Sequence, residues 1–120
     1  MILDGIVIKV REDSKVRPFS LLVATGINQE GYREILGMEL GNSETEESWS
    51  NFFKDLKARG LKGVDMVISD NHGGLVNAVE RYFQGSTWQR CQTHFTKNIL
   101  DSCPKNMQKD LKSYLRAIFE

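Results

Sequence analysis

Two aspartates stand where a carboxylate needs a reason. Asp70 closes the apolar run that starts at Val64 and passes through Ser69, and the glycines Gly73-Gly74 follow it. Ligands of open α/β sheets collect at the carboxyl ends of strands, so this carboxylate is well placed to bind something. Capping the next helix suits an aspartate here equally well, and position alone does not choose. Asp4 interrupts Ile2-Leu3-Asp4-Gly5-Ile6. A carboxylate on an inner strand is costly unless paired or bound to a cation. Gly5 beside it lets another group approach the backbone; solvation of a fraying terminus is the competing explanation. Two hard oxygen donors suit Mg²⁺ or Mn²⁺, which keep part of their water shell and bind through one or two carboxylates. Two such ions ~3.5–4 Å apart can activate a nucleophile and stabilise the leaving oxygen of an in-line phosphoryl displacement. The sequence shows no third ligand for the pair.

Cys91-Gln92-Thr93-His94 is a C-x-x-H pair. As a zinc half-site it lacks a second pair, since the only other Cys and His are Cys103 and His72. A buried Cys beside a His that positions a neighbour by hydrogen bonding is the favoured reading. His72, two residues after Asp70, suits either a phosphate contact or a cap on the turn. Arg90 and Lys97, which bracket the C-x-x-H pair, are further candidates for a DNA or phosphate contact. Trp49, Phe52, Phe53, Trp88 and Phe95 fall on apolar faces and read as core.

The elements that must position these groups change period along the chain. Ile6–Val10, Phe19–Thr25 and Tyr32–Leu40 read as three strands, with the charged, Pro-containing run Arg11–Pro18 breaking the first from the second. Short connections make them antiparallel neighbours. Ser43 with Glu46 predicts a capping box. Trp49, Phe52, Phe53 and Leu56 then follow at helical spacing, and Gly60 is the stop. Val64–Ile68 is a buried strand. Gly73-Gly74 opens a second helix with Leu75, Ala78, Val79 and Tyr82 on one face, and Gly85 ends it. Thr87–Cys91 is a short fifth strand. From His94 the chain is helical, interrupted near Cys103-Pro104. The order β-β-β-α-β-α-β-α predicts an α/β fold, a mixed sheet covered by helices.

Composition bounds the function classes. The chain has 120 residues, 40% hydrophobic and 27% charged, the balance of one soluble globular domain. No stretch reaches the ~20 apolar residues of a membrane helix. No secretory leader is expected, and two cysteines make no disulfide framework, so a reduced cytoplasmic setting follows. The net charge of zero argues against a stand-alone DNA-binding module, which is usually basic. Residues 86–120 carry six Lys/Arg against three Asp/Glu, a balance more typical of a solvated face than of a nucleic-acid site.

Dense fragments of the chain are similar to the Mutator-type transposases of bacterial insertion sequences. They are Leu3-Asp4-Gly5, Ala24-Thr25-Gly26-Ile27 with Glu30-Gly31, Leu36-Gly37, and the stretch Ala58–Val64. Ser69-Asp70 with His72 and Gly74-Leu75 continue the match, and Trp88-Gln89-Arg90-Cys91 with His94-Phe95 and Asn98 closes it. Each fragment is weak alone; the order and spacing together are specific, and they cover nearly the whole chain.

The resemblance implies a ribonuclease H-like fold, residues 1–120 being the front part of a catalytic domain that is cut before its helical insertion and last catalytic helix. It implies an Asp-Asp-Glu triad holding two Mg²⁺ or Mn²⁺ ions, with Asp4 as first acid and Asp70 as second. Cys91 and His94 match the family's C-x-x-H signature. The third acid is expected beyond this chain, and Glu120 is not read as that residue, so the piece by itself is expected to be inactive. The whole protein would cut and join DNA at transposon ends and target sites, as a homo-oligomer without membrane attachment. It would be cytoplasmic in a bacterium and associated with the nucleoid when bound to DNA. The alternative is a non-catalytic, domesticated fragment serving as a DNA- or protein-interaction module. An unrelated nuclease of the same fold is a third possibility, against which the C-x-x-H block argues.

Overall fold

The structure, a computed structural model, describes residues 1–119. Three long strands, β1 (Ile2–Glu12), β2 (Lys15–Ile27) and β3 (Arg33–Gly41), precede helix α1 (Glu46–Ala58). Strand β4 (Met66–Ser69), helix α2 (Gly73–Tyr82), strand β5 (Thr87–Arg90) and helices α3 (Gln92–Asp101) and α4 (Gln108–Phe119) follow, with a 3₁₀ turn at Lys105–Met107. This is the predicted element order, with the last helical stretch divided in two at the predicted interruption. The five strands form one mixed sheet in the order β3-β2-β1-β4-β5. β1 is antiparallel to β2 and parallel to β4. The chain divides into two compact units, Met1–Gln89 and Arg90–Glu120.

The core of the first unit follows from strand alternation meeting helical periodicity. Leu3, Leu22, Ala24 and Val67 face one side of the sheet, and Trp49, Phe52, Phe53 and Leu56 of α1 with Leu75, Ala78 and Val79 of α2 are buried with them. Phe53 is at the centre, its ring 5.8 Å from that of Trp49 and 4.9 Å from that of Phe83.

Two local expectations were displaced. Arg11–Pro18 does not break the strands. β1 and β2 run on through it and close in a two-residue turn, Asp13 at φ 49° and Ser14 at φ 64°, the left-handed pair that matches the twist of a hairpin. Pro18 is tolerated because pairing with β3 stops at Ser20, leaving the outer edge of β2 open beside it. The capping box of α1 starts at Thr45 instead of Ser43. Thr45 Oγ1 accepts from the Ser48 amide at 3.1 Å while Ser48 Oγ accepts from the Thr45 amide at 2.8 Å. Glu44, just outside the helix, accepts a 3.1 Å bond from Trp49 Nε1 through its carboxylate.

In the second unit, α3 and α4 are tied by Gln108 Nε2, which donates to Leu100 O at 3.0 Å, and by the edge-on rings of Phe95 and Phe119, 6.3 Å apart.

Candidate active site

Asp4 sits on β1 between buried Leu3 and half-buried Gly5. Because Leu3 faces the helices, alternation turns Asp4 to the opposite face of the sheet, which α1 and α2 do not cover. Ile6, Met38 and Leu40 on that face stay between 46% and 59% exposed. Gly5 does admit a close neighbour, as expected. A side chain there would meet the Glu44 carboxylate at 2.5 Å, so Glu44 packs directly over the strand on its helix side.

Asp70 is brought beside β1 by a parallel register. Ile2 pairs with Ile68, and each acid stands two residues further along its chain from that pair, Asp70 just past the end of β4. Both carboxylates are half-buried. Asp70 Oδ1 accepts from the Asn71 amide at 2.8 Å, so it holds its own turn and does not cap α2. His72 takes the cap: its Nδ1 accepts from the Leu75 amide at 3.2 Å. Of the two roles open to His72, the geometry displays the turn-capping one, with Nδ1 committed as an acceptor.

Ser69 was missed in the sequence. It is fully buried, its hydroxyl donates to Asp70 O at 2.9 Å and accepts from Trp88 Nε1 at 2.8 Å. The chain leaving β4 toward Asp70 is thereby pinned to β5. A small hydroxyl residue ending an otherwise apolar strand was the available signal. Ser69→Ala is expected to cost about 1–3 kcal/mol, because the buried indole N–H loses its acceptor. Urea denaturation measures this, and the double variant with Trp88→Phe should recover part of the loss.

Cys91, His94, Arg90 and Lys97 gather around the start of α3 in the second unit. Cys91 is at the N-cap with no side-chain capping bond, and His94 is one turn along the helix. The Arg90 guanidinium stands 4.9 Å from the centre of the Phe95 ring. Lys97 is exposed. Among the described residues no three His, Cys, Asp or Glu side chains group as a metal site. Glu120 lies outside the described residues.

A mixed sheet in this element order, with helices packed on one face of it, defines a class of α/β domain, and sequence comparison makes the class specific. The family model "Transposase, Mutator family" matches residues 1–120, so the chain belongs to that family. The chain is 44% identical over 117 residues to the transposase for insertion sequence element IS256 in transposon Tn4001 of Staphylococcus aureus, covering 98% of this chain. It is also 44% identical over 117 residues to the transposase for insertion sequence element IS1081 of Mycobacterium tuberculosis, again over 98% of the chain. The chain spans 30% and 28% of the lengths of these two relatives. A looser likeness, with a TM-score of 0.40 at 16% identity, covers 95% of this chain and 80% of the HTLV-2 integrase catalytic core domain, solved in complex with magnesium. No helix among the described residues is long and apolar enough to cross a membrane.

Proposed function

We propose that this chain is the part of a DNA transposase that supplies the first two acids of a divalent-metal site, and that the whole protein cleaves and joins DNA at transposon ends. Membership of the family over the full chain, together with the Asp4–Asp70 register across β1 and β4, supports the reading. Asp4 and Asp70 would be the residues of this chain that hold the cations. Bound Mg²⁺ or Mn²⁺ would supply activation of the attacking oxygen and neutralisation of charge at phosphorus. The chain's own residues hold the carboxylates in place: Ser69 and Trp88 fix the strand end, and His72 fixes the helix that follows. The third acid would come from elsewhere in the whole protein, which would act as a homo-oligomer on end and target DNA.

The test is a thermal melt of the chain with and without millimolar Mn²⁺ or Mg²⁺. At a cation concentration ten times its Kd, binding should stabilise the unmodified chain by about 1.4 kcal/mol. Asp4→Asn and Asp70→Asn keep the shape and relieve like-charge repulsion. Each should therefore be more stable than the parent without metal, by about 0.5–2 kcal/mol, and respond little to it. Variants that both melt lower than the parent, or that respond to metal as it does, would remove the shared cation site.

A further inference from the structure

The first hairpin is much longer than the sheet needs. Pairing of β2 with β3 ends at Ser20, and the registered contact of β1 with β4 is at Ile2. Beyond these points the two strands continue as a ribbon, paired from Val7–Ser20 through to Glu12–Lys15. Residues 11–18 are all exposed, as is Lys9. Hydrophobic burial therefore does not explain the extension: Val7 is 69% and Val16 is 57% exposed. Its composition is different. Lys9, Arg11, Lys15 and Arg17 stand against Glu12 and Asp13, a local charge of +2 in a chain that is neutral overall. Among the described residues, none of these four cations has a carboxylate partner within 4.0 Å. Alternation puts Lys9 and Arg11 on one face of the ribbon and Lys15 and Arg17 on the other.

Its direction matters as much as its charge. β1 and β4 run parallel, β4 ends at Ser69, and β1 continues from Asp4 to Glu12 past that same end. The ribbon thus rises from the rim on which Asp4 and Asp70 sit. At ~3.3 Å per strand residue, Lys9 and Arg11 lie about 17–23 Å beyond Asp4. With a rise of 3.4 Å per nucleotide, that is about five to seven base pairs along a duplex.

We propose that the ribbon from Lys9 to Arg17 is a DNA-binding arm whose four cations grip duplex phosphates about half a helical turn from the acids. A two-stranded ribbon has the width to follow a major groove, and cations on both faces can reach the phosphates on either side of it. The inference rests on the reading that the protein acts on DNA, and it adds where the duplex runs.

Fluorescence anisotropy of a labelled random-sequence duplex, titrated with the 120-residue chain across a salt series, tests it. Four phosphate contacts should contribute about 3.6 to the slope of log K against log salt, or roughly a 150-fold loss of affinity between about 50 and 200 mM. The variant carrying Lys9→Gln, Arg11→Gln, Lys15→Gln and Arg17→Gln should lose that part of the slope. The two half-variants should each lose about half of it, which keeps the test valid if the fourfold variant does not fold. Lys112→Gln, which removes an exposed cation of α4, should leave the slope unchanged. Equal affinity and slope in parent and ribbon variants would overturn the proposal, as would absence of salt-dependent binding by the parent. Displacement of the duplex by polyglutamate at equal charge concentration would also overturn it, marking the ribbon as a contact for acidic protein. The metal melts of Asp4 and Asp70 contain no DNA, so failure of the arm and failure of the transposase reading are separately visible.

Discussion

Phe53→Ala should destabilise the chain by about 3–5 kcal/mol, the range for emptying a buried aromatic site. Phe53 is 0% exposed and joins the ring of Trp49 on its own helix, at 5.8 Å, to those at the end of α2, Tyr82 at 6.4 Å and Phe83 at 4.9 Å. The edge-on contact with Phe83, at an interplanar angle of 77°, adds a term beyond burial. Domains of this size are stable by only about 5–15 kcal/mol, so one truncation removes a large share of the total. Phe53→Leu, which keeps most of the volume, should cost under about 1.5 kcal/mol. Urea denaturation of the three proteins reads both values. A loss below about 1 kcal/mol for Phe53→Ala would mean that the α1–α2 layer is not packed on this ring.

Gly74→Ala should cost about 1–3 kcal/mol although it places a better helix former inside α2. Propensity alone predicts a gain of up to about 1 kcal/mol, so the sign of the change decides between the two effects. A Cβ on Gly74 would meet the backbone nitrogen of Glu46 at 2.6 Å and its Cα at 3.2 Å. Backbone cannot rotate aside as a side chain can, so the starts of α1 and α2 must separate. The adjacent Gly73 has nothing within 4 Å of its Cβ position, and Gly73→Ala should be neutral or slightly stabilising. Separation at Gly74 would also move His72, whose Cε1 lies 3.3 Å from the same point, and with it the turn that carries Asp70. The Gly74→Ala chain should therefore lose metal response in the melt as well as stability, whereas Gly73→Ala keeps both. Equal stability of the two alanine variants would show that the close approach is relaxed in solution.

What the sequence alone determined was whatever depends on residues near one another in the chain. The period-3.6 faces of Trp49–Leu56 and Leu75–Tyr82, the stop at Gly60 and the break near Pro104 are local choices of backbone and side chain, and they stand in the structure as read. Asp70 was legible as a site candidate from its place at the end of an apolar strand, but helix capping suited it equally, and only the folded turn gives that role to His72. Local reading misplaced the start of α1 by two residues, since Ser43 and Thr45 are both competent caps and the folded chain chooses Thr45 through its reciprocal bonds with Ser48. It also broke the first hairpin at Arg11–Pro18. Charge and proline disfavour a strand on average, but the type of turn at Asp13-Ser14 and the open edge beside Pro18 decide whether pairing continues. The position of Asp4 against Asp70 belongs wholly to tertiary structure. A parallel pair is joined through β2, β3 and α1, so its register is set by which apolar residues of β1 and β4 meet the aromatic layer of α1. Leu3 and Val67 face that layer, strand alternation turns Asp4 to the opposite side, and Asp70 follows at the end of the neighbouring parallel strand.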